Sequence, residues 1–114
     1  MKGELFRTEL DYDSKFDQLS IRRPGFSTTF SLEAGNLVMD FTSKEFVGIE
    51  VQDATRWLSD LFGAKLNPDK IKAARIGFQD KSNFVKILVV IQMEGRQMEK
   101  EVIVQKFEPV PIPA

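Results

Sequence analysis

The sequence predicts an α+β fold in which antiparallel β-meander strands are followed by one principal helix and then by a three-stranded antiparallel unit. Three observations lead there. Apolar and polar residues alternate with a period of two over most of the 114-residue chain, the mark of strands with one buried face. One stretch, Ala54, Trp57, Leu58, Leu61 and Phe62, instead follows the i, i+3, i+4, i+7, i+8 spacing of an amphipathic helix. No linker is long enough to separate two domains, so residues 1–114 read as a single domain.

Taken in order, Phe6, Thr8, Leu10 and Tyr12 alternate with Arg7, Glu9 and Asp11, giving a first strand over residues 4–12. Leu19 and Ile21 mark a second, closed by Pro24-Gly25. Thr28, Phe30 and Leu32 form a third. Leu37, Met39 and Phe41 form a fourth, and the run 46–51 a fifth. The helix over 53–62 has Asp53 placed to accept from the free amides of its first turn and Gly63 placed to close it in the left-handed conformation. Asn67-Pro68-Asp69 caps one further short turn. Ala74, Ile76 and Phe78 restart the strand period. Val85, Ile87, Val89 and Ile91 form one apolar face of a following strand, and Phe84, Leu88 and Val90 make most of its other face apolar, as in a strand covered on both sides. A last strand covers roughly 97–107, and the proline-rich tail 109–114 lacks the amide donors to extend a sheet.

Composition removes several chemistries. The chain has no Cys and no His, so disulfides, thiolate sites, cysteine nucleophiles and the usual neutral-pH general base are excluded. A net charge of -1 gives no overall basic field for a polyanion. Charges at residues 2, 4, 7 and 9 leave no signal-peptide apolar region, and no stretch approaches a membrane span in length, so a cytoplasmic location and no membrane partner are expected.

The segments YDSKFDQLSI (residues 12–21), NLVMDF (36–41), FVGIEV and DATRWL (46–58) together resemble a small prokaryotic family of unknown function. Its members carry a YD-x(3)-D-x-L-x-I opening and a V-GIE-I close followed by an Asx-Ala pair. The resemblance spans residues 10–58 and implies a β-meander ending in a helix. It implies no activity and no catalytic residue. The second three-stranded unit after Gly63 departs from the family's compact form.

Four local features bear on function. Asp11, Asp13 and Asp17 sit within seven residues, yet a helix-loop-helix calcium loop starting at Asp11 needs ligands and a glycine where Lys15, Phe16 and Arg22 stand. Turn chemistry is the expectation: Asp13 and Ser14 bonding nearby amides, Asp17 closing the turn, and no tight metal site, the alternative being a weak, partly hydrated cation site. Arg22, Arg23 and Phe26 form a basic-aromatic cluster of the kind that binds nucleic acid weakly, but strand alternation puts the two arginines on opposite faces. Gly48 inside a strand marks a bulge or close packing against the helix, and Trp57 a core anchor. Asp40 lies on the face opposite Leu37, Met39 and Phe41 and reads as solvent-facing, unless burial and a raised pKa mark it as functional; the burial of Asp40 and Glu50, and any pocket beside them, decides.

The expected function is a non-enzymatic interaction module that self-associates or docks to a protein partner, since ten Phe and one Trp are many for one small core. A homodimer is expected, covering the second apolar face at Phe84, Leu88 and Val90; the alternative is a monomer whose N-terminal meander folds over that face. No catalytic residue, cofactor or metal is assigned. The alternatives are a carboxylate-based small-ligand binder or enzyme using Asp40 and Glu50, and a weak nucleic-acid binder using Arg22, Arg23 and Phe26.

Overall fold

The computed structural model describes residues 4–106; the proline-rich segment 109–114 and the expected last residue of the final strand lie outside them. The described residues build two antiparallel sheets, one α-helix and one 3-10 turn, Pro68–Lys70, capped by the Asn67 side chain as expected. The first sheet runs β1 (Leu5–Arg7), β7 (Ile71–Asp80), β8 (Phe84–Met93) and β9 (Arg96–Gln105). The second runs β2 (Glu9–Asp13), β3 (Gln18–Arg22), β6 (Phe46–Val51), β5 (Leu37–Phe41) and β4 (Phe30–Ala34). Helix α1 (Ala54–Phe62) links the two sheets and packs against β9.

Two features correct the expected order. The single N-terminal strand divides at Thr8, with β1 pairing to β7 in the first sheet and β2 to β3 in the second. Thr8 Oγ1 donates to the Ala74 carbonyl at 2.5 Å and pins the crossing point. A strand that switches sheets forms the corner of a two-sheet sandwich. The three-stranded unit therefore gains a fourth strand, and one side of the sandwich is closed by covalent chain. Secondly, the first five sequence segments do not form an uninterrupted meander, because β6 inserts between β3 and β5. Insertion at the centre suits Phe46-Val47-Gly48-Ile49, all buried, better than an edge would.

The core lies between the sheets. Leu19, Ile21, Ile49 and Val51 face Ile76, Ile87, Val89 and Ile91, all fully buried, and Leu58 seals them from the helix side. Burying each such side chain contributes about 1.5–3 kcal/mol.

The second apolar face of β8 is not open. Leu88 and Val90 are only 9% and 5% exposed within one chain. Leu5 of β1 pairs with Gly77, the neighbour of Leu88, so the sheet-switching strand lays its side chain over that face. The stems of long polar neighbours such as Lys86 and Glu101 extend the cover. The reason for expecting a homodimer at Leu88 and Val90 is therefore removed.

Helix α1 is capped from a distance. Asp53 takes a left-handed conformation at φ 53°, and its side chain makes no capping hydrogen bond, contrary to expectation. Asp17, 38 residues from Thr55 in sequence, accepts from the Thr55 amide at 3.1 Å and its hydroxyl at 2.8 Å, while the Asp17 carbonyl accepts from the Ala54 amide at 2.9 Å. The Tyr12 hydroxyl donates to the same carboxylate at 2.7 Å. Burial pushes the Asp17 carboxyl up, but the donors from Tyr12 and Thr55 outweigh it and hold the carboxyl below its usual 3.8. Gly63 closes the helix in the left-handed region, as the sequence indicates.

Asp17→Ala is expected to lower unfolding free energy by about 1–2 kcal/mol, the cost of losing a cap, whereas Asp53→Asn changes it by less than about 0.5 kcal/mol. Urea denaturation measures both. Because the Asp17 carboxyl is lowered by folding, its contribution is present above pH 3.8 and fades as pH falls through the folded value. The stability gap between wild type and Asp17→Ala therefore closes in acid.

Candidate functional site

The closed side of the sandwich sets up the open one. Since β1 and β2 are edge strands joined by chain, the opposite edges, β9 and β4, face each other with no connecting strand among the described residues. Helix α1 fills part of the gap through Ala54, Leu58 and Trp57. The remainder is a cleft of about 1110 Å³. Phe30 and Leu32 of β4 form one wall and Val102 to Val104 of β9 the other, with Trp57 also lining it.

Aromatic rings form the floor. Phe46 of β6 stacks on Phe78 of β7 with centroids 4.4 Å apart, joining the two sheets, and Phe41 meets both edge-on at 5.6 and 5.7 Å. Phe30 stacks on Phe41 at 5.1 Å and carries the series out to the rim. Such pairs add about 0.5–1.5 kcal/mol beyond area burial. At the rim Phe30 and Leu32 stay 46% and 51% exposed, so solvent meets apolar side chains on the β4 wall; on β9 the inward residues are Val102 and Val104, half-buried, while Ile103, opposite Lys86, turns to the outer face.

The opposite face of the second sheet is polar. Register places Ser31, Asp40, Gly48 and Arg22 in one row across β4, β5, β6 and β3. The Ser31 hydroxyl donates to Asp40 Oδ1 at 2.6 Å, and Arg22 Nη1 stands 3.5 Å from Oδ2. Gly48 makes this reach possible: without a side chain between them, an arginine two strands away can approach the aspartate. A Cβ at Gly48 would strike the Ile21 carbonyl and come within 2.7 Å of Arg22 Cα. The glycine thus serves a bulge beside Asp40 and a close strand approach, not packing on the helix.

Asp40 is 1% exposed, which overturns its reading as solvent-facing. Glu50, half-buried and diagonal to Asp40, has its carboxyl raised above the usual 4.5 by hydrogen bonding to Asp40, by burial and by the Asp40 charge, with Arg22 opposing. The buried carboxyl and the concavity do not coincide, however. Asp40 and Glu50 face away from the cleft that Leu37, Met39 and Phe41 line.

The other sequence candidates are engaged within the fold. Asp13 Oδ1 accepts from the Lys15 amide at 3.0 Å, ordinary turn chemistry. Asp17 closes the turn at φ 51°, but its carboxylate points to the helix. Arg23 is held between the Phe6 and Phe26 rings, 4.0 and 4.2 Å from their centroids, and donates to the Phe46 carbonyl at 2.9 Å. Arg22 additionally donates to Thr28 at 2.6 Å. The basic-aromatic cluster is thereby spent on internal contacts. Trp57 is part core, part cleft wall. Sequence reading identified the inward faces of β4 and β5, assigned none to β9, and did not show that β4 and β9 would end as facing edges. The one signal was the continuous apolar run Val102-Ile103-Val104, which a one-sided edge strand does not require.

Gly48→Ala is expected to cost about 2–4 kcal/mol through backbone displacement of β3, measured by denaturant unfolding. Gly95→Ala is the contrast. Space is open there, and only the φ of 75° opposes a side chain.

Comparison of the chain with protein-family models, with curated proteins and with solved structures finds no match.

Proposed function

We propose that this protein is a non-enzymatic interaction module that takes an extended polypeptide segment into the cleft, pairing it along the free edge of β4. The observation that carries this reading is that an apolar cleft lies between two sheet edges that are unpaired among the described residues. A free edge presents backbone donors and acceptors at strand spacing, so an added strand gains main-chain hydrogen bonds while every second side chain enters the groove. The walls fit this, because Phe30, Leu32 and Ala34 all line the cleft at alternate positions of β4. The matching ligand is an extended segment with apolar residues at every second position. Separation of the Asp40–Glu50 pair from the cleft favours binding over carboxylate catalysis.

Trp57, the chain's single tryptophan, lines the cleft and reports on occupancy. A soluble peptide with alternating Val and Thr between Lys ends is expected to shift Trp57 emission saturably in the full chain. Leu32→Lys and Phe30→Lys should each weaken it about tenfold, equivalent to about 1.4 kcal/mol. An unchanged emission, or binding indifferent to both substitutions in folded protein, contradicts the proposal. If sedimentation shows a dimer that Leu32→Lys dissociates, the segment is a second copy of this chain.

A further inference from the structure

The polar row behind β4 holds a group that its neighbours leave incomplete. Asp40 Oδ2 is buried and receives no hydrogen bond from any described residue, while Oδ1 has the Ser31 hydroxyl. A buried oxygen without a donor costs about 1–3 kcal/mol, more when charged. Arg22 is placed to balance charge at 3.5 Å, beyond hydrogen-bond length. Glu50 is the adjacent group able to become a donor. It lies opposite Val38, two positions from Asp40 on the same face, and a protonated carboxyl carries one O–H.

We infer that Asp40 and Glu50 form a proton-binding site, one proton lying between their carboxyls with Arg22 balancing the charge that remains. The proton enters from water through half-buried Glu50 and donates to Asp40 Oδ2, so the pair takes up and releases one proton as a unit. The surrounding charges favour its retention. Glu9 lies opposite Arg22 and Asp11 opposite Ser20 on β2, and Glu33 lies opposite Val38 on β4. On this face Arg22 of β3 is the opposing cation, since Arg23 turns to Glu45 and the two phenylalanines. Glu50's shift agrees in direction. A carboxyl raised by folding stabilises the fold in its protonated form, fully below pH 4.5 and decreasingly as pH rises through the folded value.

The site also reaches the cleft. Ser31 ties β4 to Asp40, and its neighbours Phe30 and Leu32 form the cleft wall. Loss of the proton leaves two carboxylates sharing one arginine and loosens the wall; this consequence, unlike the proton site itself, rests on the proposed cleft function.

Carboxyl-carbon NMR titration of the full chain tests the site. The expected result is a Glu50 midpoint above its ordinary value. Asp40→Asn should bring Glu50 back toward the ordinary value, and Arg22→Gln should move it higher. An ordinary midpoint in wild type, or one that neither substitution moves, overturns the inference. Should Asp40→Asn not fold, the wild-type titration and Arg22→Gln decide. Amide exchange at Ser31 and Leu32, corrected for its intrinsic pH dependence, should quicken as Glu50 ionises, and Glu50→Gln should abolish that step. No such step removes the link to β4. Peptide binding absent at every pH, with Glu50 titrating as expected, removes the cleft function and leaves the proton site standing.

Discussion

The structure depends on one strand that belongs to both sheets. By passing from β1 to β2 at Thr8, the chain fastens one side of the sandwich with covalent backbone and one side-chain hydrogen bond. Several consequences follow. Leu5 covers the outer face of β8, the two edges on that side are joined, and opening is confined to the far side, where β4 and β9 have no such stitch. Unpaired edges are sites of association that folded proteins usually blunt with charge, proline or a bulge. On β4 and β9 the apolar side chains at Phe30, Leu32 and Ile103 do the opposite.

The two faces of the second sheet then divide the chemistry. Inward, β4, β5 and β6 supply the aromatic floor that joins the sheets. Outward, the same three strands and β3 supply a polar row with a buried aspartate. Gly48 is central to both: its missing side chain lets β3 approach and opens the path from Arg22 to Asp40, while the adjacent bulge brings Phe46 opposite Phe41. Replacing the row with apolar side chains of similar size would relieve the cost of burying a carboxylate, so its presence is better explained by what the carboxyls do than by stability.

Much of the architecture was legible in the sequence, for physical reasons that also explain what was not. Period-two alternation located the strands because each has one buried face, and the helix stood out because Ala54, Trp57 and Leu58 share one side. The predominantly antiparallel arrangement with one helix matches that reading. Alternation is silent on partners, however. It placed Phe6 and Leu10 on one continuous strand when Thr8 divides them between sheets, and it could not tell that β6 sits between β3 and β5. Asp53 had the right residue type and position for a cap, yet a cap from Asp17 depends on a contact 38 residues away in sequence. Asp40 misled for a related reason: a polar residue opposite an apolar face is usually solvated, and its burial depends on Ser31 and Arg22 from two other strands.

The central claim is that the edge of β4 accepts an added strand. Backbone amide exchange and chemical-shift changes along β4, measured with and without the alternating peptide, address it most directly. The account requires new protection at alternate β4 amides, with matching shifts at Phe30, Leu32 and Val102 and little change along β2. Shifts confined to side chains of the cleft, with β4 amides unprotected at saturation, would contradict strand addition.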